Sequence, residues 1–121
     1  MVDSPSRDVS LTIPAQAGYL VLARLALSAV CRLTPLGAVE VADLKLAVTE
    51  AATEFLHDGD PTDDTIDFDF RLAEHELVLE LSGPSVATNE AEQELSRAII
   101  EATVDQSEFA PGRVTLVKRL G

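Results

Sequence analysis

The chain is 121 residues long, with 9 Lys and Arg against 21 Asp and Glu, a formal net charge of -12 and a hydrophobic fraction of 46%. That length holds one domain, and that hydrophobic content excludes a disordered chain. A surface so acidic repels phosphate backbones and anionic lipid, which argues against nucleic-acid or membrane partners, and a single cysteine, Cys31, makes neither an internal disulfide nor a zinc site by itself.

Met1 to Asp8 is polar, lacks the basic-then-apolar order of a signal peptide, and is expected to fray as a flexible N-terminus ahead of one domain over 9–121. No run of about 18 apolar residues is free of charge, so a cytoplasmic protein is expected. Val9, Leu11 and Ile13 alternate with Ser10 and Thr12 as a short strand ended by Pro14. Ala17 to Leu33 reads as a helix, mostly apolar, with Arg24, Ser28 and Arg32 in one polar stripe. So narrow a polar face predicts cover from a sheet and from a partner chain. Thr34-Pro35-Leu36-Gly37 breaks the chain before a second helix, about Val39 to Leu56. Its buried face is expected at Val41, Leu44, Val48, Ala51 and Phe55, with Asp43, Ala47, Glu50 and Glu54 on another face.

His57 to Asp64 is turn material rich in aspartate. Ile66, Phe68 and Phe70 mark a half-buried strand, and Leu77, Leu79 and Leu81 mark the next, joined by a link short enough for an antiparallel hairpin. Gly83-Pro84 ends the pair. Thr88 or Asn89 caps a third helix whose apolar face is expected at Leu95, Ala98, Ile99 and Ala102. Val104 to Phe109 and Arg113 to Leu120 are two more strands around the Ala110-Pro111-Gly112 turn, with Val114, Leu116 and Lys118 on one face. The order β-α-α-β-β-α-β-β implies a two-layer α/β sandwich, three helices on one face of a largely antiparallel sheet. The core is expected to hold Leu11, Leu25, Leu44, Val48, Phe55, Phe68, Phe70, Leu79, Leu95, Ile99 and Leu116.

Three local matches in the right order carry a resemblance. They are Asp43-Leu44-Lys45-Leu46-Ala47-Val48-Thr49-Glu50-Ala51-Ala52-Thr53, then Ser96 to Ala102 followed by Val104-Asp105, then the terminal Pro-Gly-x-Val-x-Leu-Val-Lys-Arg-Leu. Over about Val9 to Leu120 the chain resembles bacterial anti-sigma factors of the sporulation and general-stress type. These form the serine-protein kinase branch of the GHKL, or Bergerat-fold, ATPases, which are histidine-kinase-like. The resemblance implies a protein that dimerises and withholds a sigma factor from RNA polymerase. It also implies Mg-ATP and phosphorylation of an anti-anti-sigma partner. In the family's Glu-x-x-x-Asn helix the Glu is the proposed general base and the Asn ligates Mg²⁺; here Glu50 matches the first and Glu54 stands at the second. Arg24 matches an arginine of the family's first helix that contacts the protein partner.

Three departures weaken the nucleotide site. Glu50 and Glu54 are like charges one turn apart, and the plainer expectation is two solvated acids on an exposed helix face. Where the family carries Asp-x-Gly-x-Gly, this chain has Leu81-Ser82-Gly83-Pro84-Ser85, so the adenine acceptor is a leucine and only Gly83 remains, best read as a strand-ending turn. Where the family has a glycine-rich lid, Val86 to Glu90 has no glycine and no cation. Of the other candidates, Asp58, Asp60, Asp63 and Asp64 lack EF-hand spacing and read as a solvated loop. His57 suits a helix C-terminus, His75 has no nucleophile beside it, and Cys31 reads as an inert buried thiol. The expectation is therefore a cytoplasmic, homodimeric, anti-sigma-like regulator that binds a sigma factor or an anti-anti-sigma protein, with no cofactor and no metal. An active serine-protein kinase, resting on Glu50, is the alternative; a decoy that binds only the anti-anti-sigma protein is a third reading.

Overall fold

The structure, a computed structural model, describes residues 7–57, 63–84 and 89–121. Alternation of apolar and polar residues builds its sheet. β1 (Arg7–Pro14), β2 (Thr65–Leu72), β3 (Glu76–Ser82), β4 (Gln106–Ala110) and β5 (Arg113–Arg119) form one five-stranded sheet in the order β1-β2-β3-β5-β4. Every neighbouring pair is antiparallel. In register, Phe68 lies opposite Leu11 and Leu81, and Phe70 opposite Val9 and Leu79. Ile66, Phe68, Phe70, Leu77, Leu79, Leu81, Val114 and Leu116 are buried, while Asp67, Asp69, Arg71, Glu76, Arg113 and Arg119 face out. One face of the sheet is thus apolar across β2, β3 and most of β5, and the helices cover it.

α1 (Leu20–Cys31) follows a short 3-10 turn at Ala17–Tyr19, and α2 (Ala38–Ala52) runs on into another at Thr53–Phe55. Glu40 accepts from the Gly37 N–H at 3.3 Å, one half of a capping box at the start of α2. α3 (Glu90–Thr103) is capped by Asn89, whose Oδ1 accepts from the Ala91 and Glu92 N–H groups at 2.8 and 3.3 Å. Thr88, the other expected cap, lies outside the described residues, as do residues 1–6 of the expected flexible terminus. Pro111 and Gly112 form the two-residue β4–β5 turn. Gly112 has φ 73, the left-handed backbone that a Pro-Gly type II turn requires. Lys118 does share the core face, and its ammonium reaches Asp105 at 3.8 Å and Glu40 of α2 at 3.9 Å over an aliphatic stem.

The expected core holds in β2, β3 and β5, at Leu44 and Val48 of α2, and at Phe55 in the turn after it, all buried. It fails on the other two helices and is incomplete in β1. Leu25 is 62% exposed and Leu95 64% exposed, while Leu11 and Ile99 are only partly covered. α1 buries Leu20, Ala23, Leu27, Val30 and Cys31, and Leu25 lies roughly 160° round the axis from Leu27 at about 100° per residue. α3 buries Ser96 and Ile100, with Gln93, Arg97 and Thr103 half-covered beside them; the expected face of Leu95, Ala98 and Ala102 is turned to solvent. Apolar periodicity alone misplaced α3, because its inward face is chosen by polar partners on α2.

Phe68 has no exposed surface and anchors the centre of the β1–β2–β3 face. Phe68→Ala should lower unfolding free energy by roughly 3–5 kcal/mol, a large part of the ~5–15 kcal/mol typical of a domain. Urea unfolding measures it; an unchanged midpoint would contradict this packing.

Candidate functional site

Glu50 and Glu54 lie one turn apart on α2, and α3 comes to meet them. Ser96 Oγ donates to Glu50 Oε1 at 2.8 Å. Gln93 Nε2 donates to Glu54 Oε1 at 3.2 Å, and Arg97 reaches Glu54 with both Nη2 and Nε, at 3.2 and 3.4 Å. Glu54, just past the end of α2, meets Gln93 in the first turn of α3, while Lys118 bridges Glu40 at the start of α2 and Asp105 just past the end of α3, so the helices run antiparallel. Ala47 and Ala51, both fully buried, are the small residues on α2 that let another layer come close. The Arg97 guanidinium then stacks 4.4 Å from the Phe109 ring centroid on β4, a cation–π contact that ties the seam to the sheet edge.

This corrects the expectation of two solvated acids. Glu54 is only 12% exposed at its side chain, and both carboxylates are engaged by α3. Carboxylates drawn from water need donors, and Ser96, Gln93 and Arg97 supply them at i, i+3, i+4. That spacing opposite a Glu-x-x-x-Glu helix is the signal sequence reading missed, since it sought an apolar face on α3.

The other nucleotide-linked positions are not arranged around a ligand. Leu81 is fully buried in the sheet face, in register between Phe68 and Val114. Gly83 is a packing junction: its N–H donates to Gly112 O at 3.1 Å, and a Cβ there would stand 3.3 Å from the Phe55 ring. Of the expected lid, residues 86–88 lie outside the described residues. Asn89, Glu90 and Glu92 open α3 and place acid at the helix end where a phosphate would need positive charge. The cleft bounded by Thr53, Glu54, Glu92, Gln93 and Ser96 holds about 70 Å³, and ligand pockets run from roughly 300 Å³ upward. A cleft of about 300 Å³ lies beyond it, lined by Glu54, Arg97, Phe109 and Gly112, with its one cation already paired to Glu54. Among the described residues, neither cleft offers an unpaired cation to a phosphate.

Arg24 takes no part in the seam. It is half-buried on α1, which packs against α2, β1 and β2, and it makes no salt bridge among the described residues. His57 Nε2 sits 2.7 Å from Asp64 Oδ2, and His75 is exposed beside Glu74. Asp58 and Asp60 lie outside the described residues. Burial pushes the Cys31 thiol above its ordinary pKa, with the Lys45 ammonium pulling the other way, so the group stays a neutral thiol at neutral pH. The sequence matches no protein-family profile, and no curated protein is detectably similar to it.

A double-mutant cycle of Glu54→Ala and Arg97→Ala should give a coupling energy of about 1 kcal/mol. That lies between the ~0.2–1 of exposed ion pairs and the ~1.5–3 of charged hydrogen bonds, because Arg97 is more than a third exposed. Additive single losses in urea unfolding would remove the seam as a stabilising contact.

Proposed function

We propose that this chain is an anti-sigma-like transcription regulator of the Bergerat-fold type, which works by protein contacts and without ATP. The observation that carries the reading is the uncovered face of α1. Val21, Leu22 and Leu25 are exposed together on it, 44–62% each, and Arg24 beside them makes no salt bridge among the described residues. A domain large enough to bury such side chains leaves them out at a cost, and clustered exposed apolar residues mark interaction surfaces. β1, an edge strand against which α1 packs, continues this surface with unpaired backbone groups. A second copy of the chain would cover Val21, Leu22, Leu25 and that edge as a homodimer, and light scattering should then report twice the 12.9 kDa chain mass. The order of elements and the antiparallel sheet support the family resemblance, and the α2–α3 seam supports the loss of ATP.

The seam also separates this reading from the kinase. Displacing Ser96 and Arg97 to admit a nucleotide would strand two part-buried carboxylates against its phosphates. With Leu81 in place of an adenine acceptor (~1–3 kcal/mol) and each lost phosphate bond worth ~1.5–3 kcal/mol, a micromolar site becomes millimolar or weaker. The expected outcome is no thermal shift with Mg-ATP at millimolar concentration and no phosphate transfer to an anti-anti-sigma protein. A clear shift that vanishes in Glu50→Ala would instead establish the kinase. Partner binding is tested by capture of purified sigma and anti-anti-sigma factors on the immobilised chain. One should be retained, and Arg24→Ala should weaken retention without changing the melting temperature. Failure to retain any of them would overturn the regulatory reading.

A further inference from the structure

We propose that the groove between the C-terminal end of α1 and the start of α2 is the docking site for an acidic amphipathic helix of a partner protein. The inference deepens the reading above by giving the chemistry of what the chain binds, and it rests on protein binding without requiring a sigma factor.

The groove is open and spans about 640 Å³. Leu36 and Val41 supply apolar surface over the buried Cys31, and Arg32 and Lys45 supply charge. No acidic residue lines it, although acids outnumber bases 21 to 9 in the chain. Of the other described cations, Arg97 answers to Glu54, Arg113 to Glu80, and Lys118 to Glu40 and Asp105; Arg71 and Arg119 make no salt bridge among the described residues, but Arg71 shares a cleft with Asp8, Asp69 and Glu80. Arg32 and Lys45 make no salt bridge among the described residues, and neither does Arg24, two turns before Arg32 on the same stripe of α1. A protein with such an excess of acid had carboxylates to spare for these cations. Leaving them unpaired around apolar surface makes the groove complementary to negative charge carried on an apolar face.

Spacing and rigidity point to a helix. Arg24 and Arg32 are eight residues apart, about 12 Å along the axis, which matches acids two turns apart on a helix laid alongside α1. The loop that forms the groove's end is already ordered. Thr34 Oγ1 donates to Cys31 O at 2.6 Å, the Leu36 N–H donates to Thr34 Oγ1 at 3.2 Å, and the Gly37 N–H donates to Glu40. A preformed apolar groove with a charged rim is the geometry that takes amphipathic helices by their i, i+3, i+4 anchors.

The test uses two fluorescein-labelled helical peptides of about five turns each. Both carry the same leucine stripe; one has glutamate elsewhere, the other lysine. The net charge of -12 by itself favours the lysine peptide, so the two arms oppose general electrostatics to the groove. The glutamate peptide should bind saturably in fluorescence anisotropy, more weakly as salt rises, and should move the amide resonances of Gly37, Ala42 and Lys45. Arg32→Glu with Lys45→Glu, both substitutions on the groove rim, should weaken it about tenfold or more while leaving the circular dichroism spectrum unchanged. Preference for the lysine peptide, shifts confined to the outer face of the sheet, or unchanged affinity in the double variant would overturn the proposal. If the glutamate peptide binds as expected but no sigma or anti-anti-sigma factor is captured, the regulatory reading falls and the groove stands. If a factor is captured equally by the double variant, the groove falls alone.

Discussion

Everything in this molecule hangs on a sheet with one apolar face. Ile66, Phe68, Phe70, Leu77, Leu79, Leu81, Val114 and Leu116 line up on that face because strands place alternate residues on opposite sides. An apolar sheet face must be covered, and three helices on one side are the cover. The other face solves a different problem. Ser10 donates to Asp69 and Thr12 to Asp67 as directly opposed cross-strand pairs, so the acids there are held by short hydroxyl donors in an open, solvated layer.

The three helices cover the sheet by different means. α2 packs with small and branched apolar residues, its Ala47, Ala51 and Ala52 fully buried beside Leu44 and Val48. α1 packs with one face and leaves an equally apolar face outside. α3 buries only one large apolar side chain, Ile100, and completes its contact with Ser96, Gln93 and Arg97 on the carboxylates of α2. Such polar contacts add modest net stability but are costly to break on one side, since a part-buried carboxylate is then left without donors. They set α3's rotation more firmly than its leucine does.

The charge distribution divides the surface along the same lines. Acids crowd the outer sheet face, around Arg71 and Arg119, and the first turn of α3, while Arg32 and Lys45 line a groove with no acidic residue. The seam at Glu50 and Glu54, by contrast, sets two carboxylates against one guanidinium and two neutral donors, and each carboxylate has a donor on α3. Apolar surface and cations without salt bridges among the described residues coincide at α1 and its junction with α2.

Strand positions, the hairpin, the Pro-Gly turn, the core face of α2 and the Asn89 cap were all legible in the sequence. Each is written in a local rule: alternation by two, a turn dipeptide, an apolar 3/4 spacing, a capping side chain. That Leu81 offers no acceptor was legible too, because a leucine side chain cannot accept a hydrogen bond in any fold. What only the tertiary structure decided was which way α1 and α3 turn, and so whether Leu25 and Leu95 lie inside. Both helices carry apolar residues on more than one face, and periodicity cannot choose between such faces. The choice came from residues far along the chain: the sheet took Leu20 and Leu27 of α1, and Glu50 and Glu54 took Ser96 and Arg97 of α3, because part-buried carboxylates need donors more than a surface leucine needs cover.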